Sequence, residues 1–178
     1  MKRFFRQYGR LTLALAAVLA FCAVLPLLFQ QSRSIETGSW GLSFRTEGQP
    51  PVGNASKETL RRYDAVYLGD ETQKKIYLTF DAGYENGCTG KILDILKEKK
   101  VTATFYVTLD YVKSSPELVS RMINEGHEVG NHSCTHPSLP DISDDMVFEE
   151  IHGLETYISD NFGGYKTVTM RPPRGEFS

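Results

Sequence analysis

Little in this chain suits a disulfide-stapled domain or a nucleic-acid binder. There are three cysteines in 178 residues, too few for a disulfide framework. Cys22 falls in an apolar run. Cys88 and Cys134 each follow a strand end, so a bridge is geometrically open, but spacing does not establish one, and two free thiols are the simpler reading. Basic residues are not in surplus, with 20 Lys and Arg against 22 Asp and Glu. Five of those basic residues (Lys2, Arg3, Arg6, Arg10, Arg33) lie near the N-terminus, which leaves the remainder acidic and without a basic stripe for nucleic acid. There is no internal repeat and no low-complexity tract. No acid precedes Glu36.

That last absence accompanies a long apolar run. Residues Leu11 to Phe29 carry no charge and are long enough to span a bilayer as a helix. Basic residues in front of the run predict an inside N-terminus and an outside remainder. The run exceeds a usual signal-peptide core and lacks a clean small-x-small site, so an uncleaved anchor is expected, with a long cleaved signal and a secreted product as the alternative. The organisation expected is a basic tail and anchor over 1–30, an extracytoplasmic linker and docking segment over 31–73, and a folded domain over 74–178.

Within 31–73, Trp40, Leu42 and Phe44 alternate with small or polar residues, as in a short docking strand, and Lys57 to Arg62 suits a weak helix. A regular pattern then begins. Ile76 to Phe80 reads as a strand, and Ile92, Leu93, Ile95 and Leu96 as one helix face. Thr102 to Val107 is a second strand, and Ser115-Pro116 opens a second helix that Gly126 closes. His127 to Asn131 is a third strand. Ser143 caps a helix striped by Val147, Ile151, Leu154 and Ile158, which Gly163-Gly164 ends, and Thr167 to Met170 is a fourth strand. Alternating strands and helices predict an α/β fold with a parallel sheet or barrel.

Three short motifs fall just past these strands, where α/β folds place their sites. Thr79-Phe80-Asp81-Ala82-Gly83 supplies a carboxylate. His132 and His136 stand at i, i+4 and precede Pro137; imidazoles so spaced can share a divalent cation such as Zn²⁺. Arg171-Pro172-Pro173-Arg174-Gly175 places arginines in a proline-stiffened loop, and Arg171 can pair bidentately with a carboxylate. By position alone Asp81 could be a helix cap, the histidines structural and Arg171 a surface charge. His127 begins a strand and His152 lies on a helix, so neither is given a role.

In order and spacing these motifs resemble the polysaccharide deacetylase family, also called the NodB-homology or carbohydrate esterase 4 family. The resemblance implies a distorted (β/α) barrel whose N-terminal portion this chain supplies. It implies Asp81 as general base for the attacking water, and Arg171 as the residue that holds and tunes that carboxylate. It further implies His132 and His136 as metal ligands, and the Arg174 N–H as a donor to the tetrahedral oxyanion. Most members carry a second aspartate after the base as third ligand. This chain has Ala82 there, which weakens the case for a Zn²⁺-like cofactor.

Asp81-Ala82-Gly83-Tyr84-Glu85-Asn86-Gly87, with Tyr63 to Asp70 and Arg171 to Ser178, is similar to the delta-lactam-biosynthetic de-N-acetylases. That branch implies removal of acetate from N-acetylmuramic acid of peptidoglycan lacking stem peptides, on the route to the muramic delta-lactam of the spore cortex. The implied partners are glycan strands and, through the N-terminal run, the membrane. A conventional metal-dependent deacetylase of N-acetylglucosamine polymers is the alternative, as is a non-catalytic wall-binding fragment. The family's general acid, a histidine of a late Leu-x-His strand oriented by an aspartate, has no counterpart before Ser178. The chain is therefore expected to be truncated, its sheet open at an edge, and residues 35–178 alone nearly inactive. Oligomeric state is not legible.

Overall fold

The computed structural model describes residues 38–177. The basic tail and apolar run of 1–30, together with residues 31–37, lie outside the described residues. Among the described residues no helix is long and apolar enough to cross a membrane.

Three two-residue strands come first: β1 (Gly38–Ser39), β2 (Leu42–Ser43) and β3 (Val52–Gly53), followed by helix α1 (Lys57–Arg61). β2 and β3 form a small antiparallel hairpin. Ser56 caps α1 by accepting the Thr59 N–H at 3.0 Å, as a short helix with few buried contacts requires. The alternation around Trp40 therefore marks docking in two pieces, since β1 pairs elsewhere.

The centre of the fold is β4 (Thr79–Ala82), α2 (Thr89–Lys99), β5 (Thr104–Val107), α3 (Leu109–Ser114), α4 (Pro116–Asn124) and β6 (Glu128–Asn131). After it come α5 (Asp144–Asn161), a 3-10 turn at Pro173–Gly175 and β7 (Glu176–Phe177). The three central strands are parallel in the order β4-β5-β6, with Asp81 beside Tyr106 and Tyr106 beside Gly130. Parallel neighbours need long crossovers, and the helices supply them. β7 returns antiparallel to β1, setting Gly38 opposite Phe177 and Ser39 opposite Glu176.

Because side chains alternate along a strand, the register sorts the sheet into two faces. Phe105, Val107 and Val129 are buried on one face, with Phe80 and Ala82 packed beside them, against Leu93, Leu96, Tyr111, Val112, Val119, Met122, Leu154 and Ile158. Each such side chain contributes about 1.5–3 kcal/mol by leaving water. Thr79, Asp81, Thr104, Tyr106, Glu128 and Gly130 fall on the other face.

Three expectations change. The first strand starts at Thr79 rather than Ile76, because its partner β5 starts at Thr104 and leaves Ile76 and Tyr77 with nothing opposite; Ile76 is 90% exposed. Asp81 consequently lies within the strand, not beyond it. The fourth strand, expected over Thr167 to Met170, is reduced to one parallel bridge between Asn131 and Met170. The Val129 N–H that would extend the pairing is donated instead to the Tyr165 hydroxyl at 2.9 Å. Helix α3 was not expected at all: Thr108 caps it by accepting the Tyr111 N–H, and it bends directly into α4 at Ser115.

Candidate active site

The first motif presents Asp81 on the polar face of β4, with its side chain 44% exposed. The third motif brings Arg171 back across that face. Its Nη1 donates to Asp81 Oδ1 at 2.6 Å, and its Nη2 donates to Thr79 Oγ1 at 2.8 Å. The pairing is thus divided between a carboxylate and a hydroxyl, not the bidentate grip that an arginine can give one carboxylate. The guanidinium lies over the Tyr106 ring at 4.4 Å. Gly130 lets that ring lie flat across β6, since a Cβ there would come within 2.6 Å of it. So exposed an ion pair adds about 0.2–1 kcal/mol to stability. What it provides is orientation: Thr79 and the Tyr106 ring hold the guanidinium, and its one donor to Asp81 fixes one carboxylate oxygen.

The backbone of Arg171 ties the third motif to the second. Its N–H donates to Asn131 O at 2.9 Å, and its carbonyl takes a hydrogen bond from His132 Nδ1 at 2.8 Å. A carbonyl can only accept, so Nδ1 carries a proton, and Nε2 is the ring nitrogen that this bond leaves for a ligand. His132 is buried and His136 exposed, with ring centroids 4.8 Å apart. The loop between them is held from three sides. Asn131 Oδ1 accepts from Ser133 N at 2.8 Å, Ser133 Oγ accepts from His136 N at 3.0 Å, and Glu150 of α5 takes both the N–H and the hydroxyl of Thr135 at 2.8 and 2.6 Å.

Among the described residues, five non-glycine residues have positive φ, and three of them, Ser133, His136 and Arg174, sit in these two motif loops. Left-handed backbone at such residues costs on the order of 1–3 kcal/mol and persists where surrounding contacts demand it. Arg174 itself is exposed, at φ 60 and ψ −4.

Whether the site suits a metal turns on its donors. Among the described residues no group of three or more His, Cys, Asp or Glu is placed to hold an ion. Ala82 packs with the apolar core. The two imidazoles, one with its Nδ1 proton already committed to a carbonyl, fit a divalent cation that takes its remaining ligands from water or substrate.

The loop after Asp81 is also pinned. Glu85 Oε1 accepts from Gly87 N at 2.6 Å, and Oε2 accepts from the buried Tyr111 hydroxyl at 3.1 Å. The Thr89 hydroxyl foremost, then these partners, holds Glu85 below the usual carboxylate range, while burial pushes Tyr111 up to about 12. Cys88 and Cys134 are both free thiols, as the simpler reading had it. His127 is buried with Nδ1 accepting from Ala103 N at 3.2 Å, and His152 pairs with Glu155 on the surface of α5, so neither joins the site. Sequence reasoning passed over Thr79, Tyr106, Ser133 and Glu150. Thr79 was findable, because period-two alternation sets it on the face of Asp81; Glu150 carries no local signal.

A carboxylate braced by arginine, two adjacent imidazoles and a strained loop at the ends of parallel strands define a hydrolase-like α/β site. Comparison with known proteins agrees. Residues 68–178 match the polysaccharide deacetylase family, and the chain belongs to it. It is similar to an uncharacterised 30.6 kDa protein of Geobacillus stearothermophilus, with 50% identity over 78% of this chain and 53% of that one. It is 44% identical to the peptidoglycan-N-acetylmuramic acid deacetylase PdaA of Bacillus subtilis over 79% of this chain and 54% of the relative. The solved structure of PdaA, a family 4 carbohydrate esterase, superposes with a TM-score of 0.74 over 80% of this chain and 62% of that one, at 44% identity. The chain spans about half the length of the curated relatives it matches.

Proposed function

We propose that this chain carries the water-activating part of a peptidoglycan de-N-acetylase. N-acetylmuramic acid in strands stripped of stem peptides is the substrate that fits best, and its freed amine can close to the muramic delta-lactam. The observation that carries the reading is the Asp81–Arg171 pair on the open face of the parallel sheet, in a chain of this family. The Asp81-Ala82-Gly83-Tyr84-Glu85-Asn86-Gly87 run and the likeness to a relative named as an N-acetylmuramic acid deacetylase support the choice of sugar.

In this mechanism Asp81 takes a proton from a water lying against the acetamide carbon. Arg171 holds one carboxylate oxygen, leaving the other for that water. The Arg174 N–H donates to the oxygen that becomes negative as the carbon turns tetrahedral. His132 and His136 are the residues that would hold a divalent cation; when bound, it would polarise the acetamide carbonyl as a Lewis acid. The Nδ1 bond of His132 to the Arg171 carbonyl fixes the ring's orientation. Expected localisation is extracytoplasmic, with residues 1–30 as a membrane anchor.

The experiment is a chimera in which residues 38–178 replace the matching stretch of PdaA, given peptidoglycan with and without stem peptides. The reading expects acetate release from muramic acid in stripped strands. Release from N-acetylglucosamine alone would move the activity to the glucosamine branch. No release, with the chimera folded, would overturn it.

A further inference from the structure

The stretch ahead of the matched family region is built into the loop that bears Arg174. β1 lies antiparallel to β7, and the next residue, Trp40, donates its N–H to the Gly175 carbonyl at 2.6 Å. The Phe177 ring lies over Gly38 so closely that a Cβ there would meet it at 2.6 Å. This contact falls on a turn of left-handed backbone. Arg174 (φ 60) and Gly175 (φ 66) are two consecutive left-handed residues, in a turn closed by the Glu176 N–H on Pro173 O, with a longer bond of 3.4 Å from Gly175 N to Pro172 O.

Trp40 is in turn fixed by the hairpin. The Asn54 side chain spans it, accepting from Gly41 N at 3.2 Å and donating to Ser39 O at 2.6 Å. The Asn54 N–H adds a bond to Gly41 O at 3.3 Å. The indole is wedged on Gly53, where a Cβ would come within 2.5 Å of it, and meets the Tyr67 ring edge-on at 5.1 Å. An unbroken line of contacts therefore runs from Asn54 through the Trp40 backbone to the carbonyl beside Arg174.

We propose that residues 38–54 are a strap that sets the Arg174 turn in its left-handed form, with Trp40 and Asn54 as positioning residues for the oxyanion donor. The proposal rests on the Arg174 N–H serving that role. The strap makes no hydrogen bond or ring contact with Asp81 or the two histidines, so loosening it should weaken binding of the tetrahedral species and spare the acetylated sugar.

The test uses the whole 178-residue chain and two ligands: a stem-peptide-free GlcNAc–MurNAc tetrasaccharide, and the same sugar with a methylphosphonamidate in place of the N-acetyl group. The unaltered chain should prefer the anionic analogue, and Asn54→Ala should cut that preference roughly tenfold with the acetylated sugar bound as before. Equal losses for both ligands, or no loss, overturn the proposal. Amide exchange supplies an arm independent of sugar. Trp40 should be protected in the unaltered chain, and Asn54→Ala should speed exchange at Trp40 and Gly175 while β4–β6 amides are unchanged. A Trp40 amide that exchanges freely in the unaltered chain overturns the strap. If exchange behaves as expected but the unaltered chain shows no preference for the analogue, the strap stands and the oxyanion role of Arg174 fails.

Discussion

The two faces of one short parallel sheet obey different rules. On the helix-covered face, Phe105, Val107 and Val129 are buried to within about one per cent and pack into the apolar core, with the His127 ring edge-on to Phe105. On the opposite face, one residue along each strand, Asp81 and Tyr106 meet an arginine with Gly130 under the Tyr106 ring, and the Asp81 and Arg171 side chains stay 44% and 37% exposed. The first face stabilises by excluding water. The second contributes little stability, because its ion pair is open to solvent, yet it orients the Asp81 carboxylate. Under the proposed function, stability and chemistry are thus separated by the pleat, and substitutions should separate in the same way.

The largest effect is expected at Asp81. In the PdaA chimera, Asp81→Asn should lower acetate release by about 10²–10⁴-fold, the range that general acid–base groups supply. The mirror-image change, Phe105→Ala, should cost about 3–5 kcal/mol of unfolding free energy, read by denaturant titration. If Phe105→Ala were stability-neutral, the covered face would not be the core. Arg171→Lys keeps the charge but cannot reach Thr79 and Asp81 at once while stacked on Tyr106. It should reduce turnover about tenfold or more and change stability by less than about 1 kcal/mol.

The smallest effect sharpens the comparison through pH. Burial pushes His127 down from its ordinary 6.5, with Glu125 opposing and Arg121 assisting. The unfolded chain therefore binds the extra proton first. The contribution of neutral His127 is complete above about pH 6.5 and is lost as pH falls toward its lower folded value, at no more than about 1.4 kcal/mol per pH unit. His127→Leu should flatten the fall in unfolding free energy between pH 6.5 and the acid side. An unchanged slope would assign that fall to other groups.

How much of this was legible depended on how local the cause was. Caps and periodic stripes announced α1, α2, α4 and α5, and Asp81, His132, His136 and Arg171 were marked by short motifs. The true start of β4 was hidden, because it is set by where β5 begins, more than 20 residues later. The fourth strand was lost to a hydroxyl, Tyr165, that takes the N–H its ladder needed. Tyr106 and Gly130 became meaningful only when register laid a ring across a glycine under Arg171. The pairing of β1 with β7 joins residues about 138 positions apart, and nothing in either dipeptide foretells the other.

The central claim is that Asp81 acts in chemistry without holding up the fold. It is tested most directly by measuring acetate release and unfolding free energy side by side on the chimera and its Asp81→Asn variant. The account predicts a turnover loss of at least about 10²-fold with a stability change below about 1 kcal/mol. Undiminished turnover, or a loss of turnover that merely tracks unfolding, would contradict it.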